Sequence, residues 1–401
     1  MKRDKKIILK YLVLSFFLKY FVTIYKKINK KYSYTKYLNS ILIKSAHILV
    51  NRIRKENSKI FLINGRDFVN WSIDKDRKNA EYFLKLNQVI LSNKIIGITH
   101  VFCVWYDTLF INQYYWIKVL KNLLDYKIIA VITNDIKNQS NILKLKLLKD
   151  QVDLWIAPSQ RIYKFLQSKN FLVELIPFYV DKKEFFYINK DKKQICDDLN
   201  INYEKVKGKV LFGTFQRDST KDLIHPKEVK NPDLLIEILK YMPKEKVILL
   251  IAGPRRHYLV NECLKNDIPF VYYGDYSCVK ESRDDLFINN HDSEVINKLY
   301  NLTDVYIVTS RIEGGPKAII EASLTRTLIF STKVGLAADF LHPDLIFSEH
   351  EIRNLINFLR NFKSNQDKIS NYIDFNYKNA RKKVSERNYS QLYKKMLNNI
   401  C

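Results

Sequence analysis

Two glutamates, Glu313 and Glu321, stand eight residues apart in the stretch Ser310-Arg-Ile-Glu-Gly-Gly-Pro-Lys-Ala-Ile-Ile-Glu-Ala-Ser323. Before them, Asp304-Val-Tyr-Ile-Val-Thr309 reads as a buried strand. Gly314 and Gly315 then permit a sharp turn, and Pro316 suits the first position of a helix. The N–H groups of such a helix start, Lys317 included, form a positively polarised cradle for a phosphate or a sugar hydroxyl. Glu313 stands at the mouth of that cradle. Glu321 lies roughly 7.5 Å further along the helix axis, among Ala318, Ile319, Ile320, Ala322 and Leu324. A carboxylate in such company needs a polar partner.

A second constellation lies upstream. Lys209-Val-Leu-Phe-Gly-Thr-Phe-Gln-Arg-Asp218 is an apolar strand running into Gly213 and Arg217, and Lys230-Asn-Pro-Asp233 precedes a helix. Arg217 and Lys230 suit a diphosphate, because a guanidinium donates paired charge-assisted hydrogen bonds and an ammonium acts as a point charge. Lys221 and Lys227 stand between them, and a solvated basic loop is the alternative reading of these two lysines.

The elements that must hold these residues alternate. Strands are expected at Lys59–Asn64, Ile95–Val104, Lys127–Thr133, Val152–Ala157 and Leu172–Ile176, with helices near Asp76–Leu91, Gln113–Leu124, Ile136–Lys149 and Gln160–Lys169. After a linker around Asp191–Lys207, strands recur at Val210–Phe215, Val247–Ala252, Phe270–Tyr273, Asp304–Thr309 and Leu328–Ser331. Such alternation gives parallel sheets with helices on both faces, and ligands then sit at the carboxyl ends of the strands. Both constellations fall there. A polar, charged stretch, Gly274–His291, reads as an irregular insertion.

Glu313, Glu321, the intervening Gly-Gly-Pro-Lys and the following Leu328-Ile-Phe-Ser-Thr-Lys-Val-Gly335 resemble the E-x7-E signature of retaining glycosyltransferases of family four. Gly213-Thr-Phe-Gln-Arg217 with Lys230-Asn-Pro-Asp233, and Ile176-Pro-Phe-Tyr-Val-Asp181, are similar to further parts of that family. The resemblance implies an α/β protein of GT-B fold, two Rossmann-like domains facing across a cleft. It divides the chain into an N-terminal helical extension (1–58), an acceptor domain (59–205), a donor domain (206–368) and a C-terminal helix crossing back to the first domain (369–401). It implies a nucleotide diphosphate sugar as donor and a glycan or lipid-linked hydroxyl as acceptor. Glu313 would bind donor-sugar hydroxyls, Glu321 the ribose, and Arg217 and Lys230 the diphosphate, with Gly213, Gly314, Gly315, Pro316 and Lys317 shaping the donor site. The leaving phosphate would take the acceptor proton, so no paired carboxylates are required, and the resemblance implies no bound metal or other cofactor.

The pattern departs from the family at three places. Asn231 stands where a glycine often follows the lysine, and Gly65 alone represents the glycine-rich loop after the first strand. Where a histidine often contacts the sugar, Asn134 is the nearest match and His100 the other candidate. Asp74-Lys-Asp76 matches a D-x-D metal motif of another glycosyltransferase fold, a pattern common by chance. Other GT-B enzymes, inverting transferases or phosphorylases among them, and a non-catalytic sugar-nucleotide sensor remain alternatives.

The 401 residues and 47% hydrophobic content suit two domains with real cores. With 68 Lys+Arg against 42 Asp+Glu the formal charge is +26. Nucleic-acid binding has only this charge for support, since no zinc, helix-turn-helix or RNP-like module is present. Five scattered cysteines without C-x-x-C spacing indicate neither zinc nor a disulfide framework and fit a reducing cytoplasm. Residues Met1–Lys59 carry 16 basic and 2 acidic side chains, and Ile7–Ile24 is apolar except for Lys10 and Lys19. Those lysines oppose a membrane span, and no small-residue cleavage site suggests a signal peptide. The segment is expected to dock on an anionic membrane surface, peripheral to the inner face of the cell membrane, or to pack on the first domain. Deleting Met1–Ile24 should release the protein from anionic vesicles in a sedimentation assay, each basic residue near the surface contributing about 1 kcal/mol. Undiminished sedimentation of the truncated chain would move the anchor elsewhere.

Overall fold

The computed structural model describes residues 59–400 apart from 67–71, 111–116, 119, 122, 123, 135, 137 and 138. The basic extension and its apolar run therefore lie outside the described residues. Among those described, no helix is long and apolar enough to cross a membrane.

Two six-stranded sheets, parallel throughout, account for the alternation. The first holds β1 (Ile60–Asn64), β2 (Ile90–Leu91), β3 (His100–Cys103), β4 (Lys127–Val131), β5 (Leu154–Ala157) and β6 (Val173–Leu175) in the order β2-β1-β3-β4-β5-β6. The second holds β7 (Val210–Thr214), β8 (Val247–Ala252), β9 (Phe270–Tyr273), β10 (Val305–Val308), β11 (Leu328–Thr332) and β12 (Ile346–Phe347) in the order β12-β11-β10-β7-β8-β9. The central strands are buried on both faces, as continuous runs such as Val-Ile-Leu-Leu-Ile-Ala at β8 require. Chain order reverses between β1 and β3 in the first sheet and between β7 and β10 in the second, and a crevice opens at the carboxyl end of each reversal.

The short edge strands β2 and β12 are absent from the sequence reading, because two residues carry no detectable alternation. The helix expected over Asp76–Leu91 runs instead from Ser72 to Leu86, leaving Ile90 and Leu91 to pair with β1. The Gly274–His291 stretch is ordered rather than irregular. It contains the helix Tyr276–Lys280, and the buried Asp285 carboxylate accepts from the Arg255 N–H (2.7 Å), the Asn289 amide (2.6 Å) and the Tyr272 hydroxyl (3.2 Å).

The C-terminal segment divides in two. Helix Gln366–Lys383 stays on the second domain, where Asn376 accepts from the His342 N–H and Arg326 pairs with Asp374. Helix Glu386–Asn399 packs on the first domain. There Phe83 stacks on Tyr389 and Tyr393, the Tyr389 hydroxyl donates to the Phe178 carbonyl (3.0 Å), and Lys395 pairs with Glu174 (2.8 Å). Burial pushes both tyrosine pKa values up, so the hydroxyls stay neutral donors. Removing the fully buried Tyr389 ring with Tyr389→Ala should cost about 3–5 kcal/mol in chemical denaturation. Tyr389→Phe keeps the ring and should cost only about 1–3 kcal/mol, for the carbonyl left unpaired.

Candidate donor site at the domain interface

The second reversal point is built from three loops. After β10, Ser310 begins the turn that carries Glu313, and the Thr332 hydroxyl at the end of β11 holds the Ser310 carbonyl (2.5 Å). After β7 the chain makes a short hairpin through an antiparallel bridge between Ser219 and Pro226, then a 3-10 turn over Glu228–Lys230. These loops are stitched together. The Arg311 N–H donates to the Val229 carbonyl (3.0 Å) and the Thr309 hydroxyl to the Lys230 carbonyl (3.0 Å). Lys230 consequently meets Glu313, its ammonium bonded to the carboxylate oxygen that also accepts from the Ser310 hydroxyl (3.0 Å).

Asn231 explains how the turn closes without a glycine after Lys230. Its φ of 49° and ψ of 58° lie in the left-handed region, which asparagine tolerates better than most residues. Pro232 then opens the helix Pro232–Lys240, so Lys230 is held at the helix entrance.

The glycines serve close approach. A Cβ on Gly314 would overlap the Thr133 carbonyl of the first domain, and one on Gly315 would stand 2.8 Å from the Phe178 ring. Gly335, at a φ of +44°, lets its own backbone come within contact of Gly315. The N–H groups of Gly314, Gly315 and Lys317 donate no hydrogen bond among the described residues. The helix itself starts at Ala318 rather than Pro316, which places Glu321 in its first turn.

Several expected residues sit differently from their sequence reading. Gly213 is inside β7, where a Cβ would stand 2.6 Å from the Thr303 hydroxyl; the turn follows it, so its small size serves packing rather than the crevice. The Lys317 ammonium crosses to the first domain, pairing with Asp76 (2.6 Å) 5.9 Å from the centre of the Phe178 ring. This pair absorbs the second acid of the D-x-D match. Burial pushes the Asp76 pKa up, against the pull of Lys317. Among the described residues no cluster of His, Cys, Asp and Glu could hold a metal. Glu321 has its polar partner within the protein, since the Tyr300 hydroxyl donates to it at 2.9 Å. Burial raises its pKa while that bond lowers it.

Asn134 comes to the interface, its N–H beside Gly314 and its amide donating to Asp107 (2.9 Å). Asp107 is further held by Lys144 (2.7 Å) and the Trp105 indole (3.0 Å). Gly65 lies at the carboxyl end of β1 with a φ of +108°, where a Cβ would stand 2.6 Å from Val104. His100 is not brought to the cleft. It opens β3 at the amino end, stacked 4.5 Å from Phe61, and burial pushes its pKa down to about 4. Asp76 and Tyr300 as partners are what the sequence reading missed: Asp76 pairs with Lys317, more than two hundred residues away, and Tyr300 bonds Glu321 from a separate helix.

No protein-family model and no curated protein matches the chain. Solved structures do. The Anabaena protein HepE in complex with UDP and glucose matches over 85% of this chain and all of its own, with 13% identity and a TM-score of 0.62. Sucrose-phosphate synthase from Thermosynechococcus elongatus covers 81% of this chain and 79% of its own, at 14% identity and a TM-score of 0.58. The fold is GT-B. The same topology is shared with TarM of S. aureus, over 75% of this chain and 55% of that one, at 13% identity and a TM-score of 0.54.

Because the GT-B cleft is bridged by Asp76 and Lys317, a double-mutant cycle with Asp76→Ala and Lys317→Ala should give a coupling of about 1–3 kcal/mol in denaturation experiments. A coupling near zero would mean that the pair does not join the domains energetically.

Proposed function

We propose that the chain is a retaining, metal-independent glycosyltransferase, moving a sugar from a nucleotide diphosphate sugar to a hydroxyl of a glycan or lipid-linked acceptor. The observation that carries this reading is the Glu313 carboxylate, held by Lys230 and Ser310 at the β7/β10 reversal, on a loop pressed against Thr133 and Asn134 of the facing domain. A carboxylate fixed there can accept from sugar hydroxyls, and the acceptor reaches it from the other side of the cleft. Arg217, Lys230 and the N–H groups of Gly314, Gly315 and Lys317 would stabilise the charge that develops on the departing nucleoside diphosphate. Glu321, bonded to Tyr300, would bind the ribose.

UDP is the first donor nucleotide to test, since HepE was solved with UDP and with UDP-glucose. The reading extends to surface polysaccharide or glycolipid synthesis at the inner face of the cell membrane, with residues 1–58 as the basic anchor.

Arg217→Ala should lower the transfer rate about a hundred- to a thousandfold, as loss of one preorganised donor to a developing charge does. An unchanged rate and donor affinity would remove Arg217 from the site. Glu313→Gln should weaken binding of the nucleotide sugar far more than binding of the free nucleoside diphosphate, read by calorimetry, because only the sugar hydroxyls lose a charged acceptor. Equal losses for both ligands would end the assignment of Glu313 to the sugar.

A further inference from the structure

Lys227 stands between Arg217 and Lys230 in the sequence, and the structure builds it into the domain. It lies on the return limb of the hairpin after β7, half-buried. Its backbone is fixed at both ends, the N–H donating to the Asp218 carbonyl (2.5 Å) and the carbonyl accepting from the Lys230 N–H (2.7 Å). Asp218 is itself buried, its carboxylate paired with the fully buried Arg256 (2.9 Å) and accepting from the Leu259 N–H (3.1 Å). The position is therefore built into the domain rather than left to a free loop.

Four charged side chains act on this ammonium: Arg217 from the same hairpin, Lys230 from the 3-10 turn, Glu313 from the loop after β10 and Arg255 from the loop after β8. Three are cations. The one carboxylate, Glu313, is already bonded by Lys230, and Arg255 is answered by Asp284 through two hydrogen bonds (2.9 and 2.7 Å). Among the described residues no carboxylate lies within ion-pair distance of Lys227. A half-buried ammonium among cations costs free energy that a bound anion would return. Burial and the neighbouring cations lower its pKa to about 8.

Resting on the donor-site reading, we infer that Lys227 joins Arg217 and Lys230 as a further ammonium binding the phosphate oxygens of the nucleoside diphosphate. With burial and those cations holding the Lys227 pKa down to about 8, affinity for the diphosphate should be full below that pH and fall as pH rises through it. Arginine at this position would keep its charge over the same range.

The test is calorimetric titration of the full chain with UDP, GDP and ADP, and with inorganic phosphate, at about pH 7 and about pH 9.5, with thermal unfolding to check each variant's fold. For whichever nucleotide the wild type binds, Lys227→Met should weaken affinity about ten- to a hundredfold at the lower pH. Wild-type affinity should fall at the higher pH, and that of Lys227→Arg should stay level. A folded Lys227→Met with wild-type affinity overturns the inference and leaves the donor site standing. If Lys227→Met does not fold, a wild-type affinity level across the two pH values overturns it instead. Inorganic phosphate binding as tightly as the nucleotide, with the same dependence on Lys227, would assign the residue to a free-phosphate site and so also overturn it. A wild type that binds none of the three nucleotides removes the donor-site reading and the inference together.

Discussion

The contact between Gly314 and the Thr133 carbonyl sets the terms for everything around it. Two domains with separate sheets meet at one backbone approach too close for any side chain. Once that approach is made, the loop after β10 has little freedom. Gly315 lies against Phe178, Gly335 comes up beneath it, and the Lys317 ammonium is carried across to Asp76. Glu313 is thereby fixed relative to the first domain as well as the second. A carboxylate that is to position a ligand between the two domains, as proposed for Glu313, needs that double reference. The cost of misplacing a reacting group by about 1 Å can reach a hundredfold in rate.

Electrostatics follows from the same geometry. Hydrophobic strands bring the loops after β7, β8 and β10 to one end of the second sheet, and their polar residues have to find partners there or remain for a ligand. Some are closed within the protein: Asp218 with Arg256 and Arg255 with Asp284. These pairs are framework. Asp218 and Arg256 are buried and Asp284 is exposed, and neither pair leaves the charge excess that an anion would answer. Lys227 differs: among the described residues no carboxylate pairs with it, and the charged neighbours that act on it are mostly cations.

Much of this was legible in the sequence where the information is local. Strand, Gly314-Gly315, Pro316 and the two glutamates form a continuous stretch, and the parallel alternation followed from runs such as Val247–Ala252. What was not legible is long-range pairing. Asp76 looked like half of a chance D-x-D, yet its partner Lys317 is more than two hundred residues away. Glu321 was recognised as needing a polar partner, and the partner, Tyr300, is fixed by the helix packing over the sheet rather than by any spacing. His100 could not be told from a cleft residue by its strand alone. Its place at the amino end of β3 depends on where that strand begins, and only the register with β1 and β4 settles it.

Asn231 shows how a departure from a pattern can preserve the geometry the pattern stands for. A glycine after the lysine would be read as freedom to adopt a positive φ, and its absence as a different turn. The backbone instead takes the left-handed conformation with asparagine, and the neighbouring Pro232 holds the helix entrance in place. The turn therefore costs some strain, which asparagine keeps small. That strain is sustained by the stitching of Val229 and Lys230 carbonyls to Arg311 and Thr309, bonds that exist only when the loops after β7 and β10 are together. The lysine turn and the glutamate loop are thus one structural unit, and a change in either should be felt first in the bond between Lys230 and Glu313.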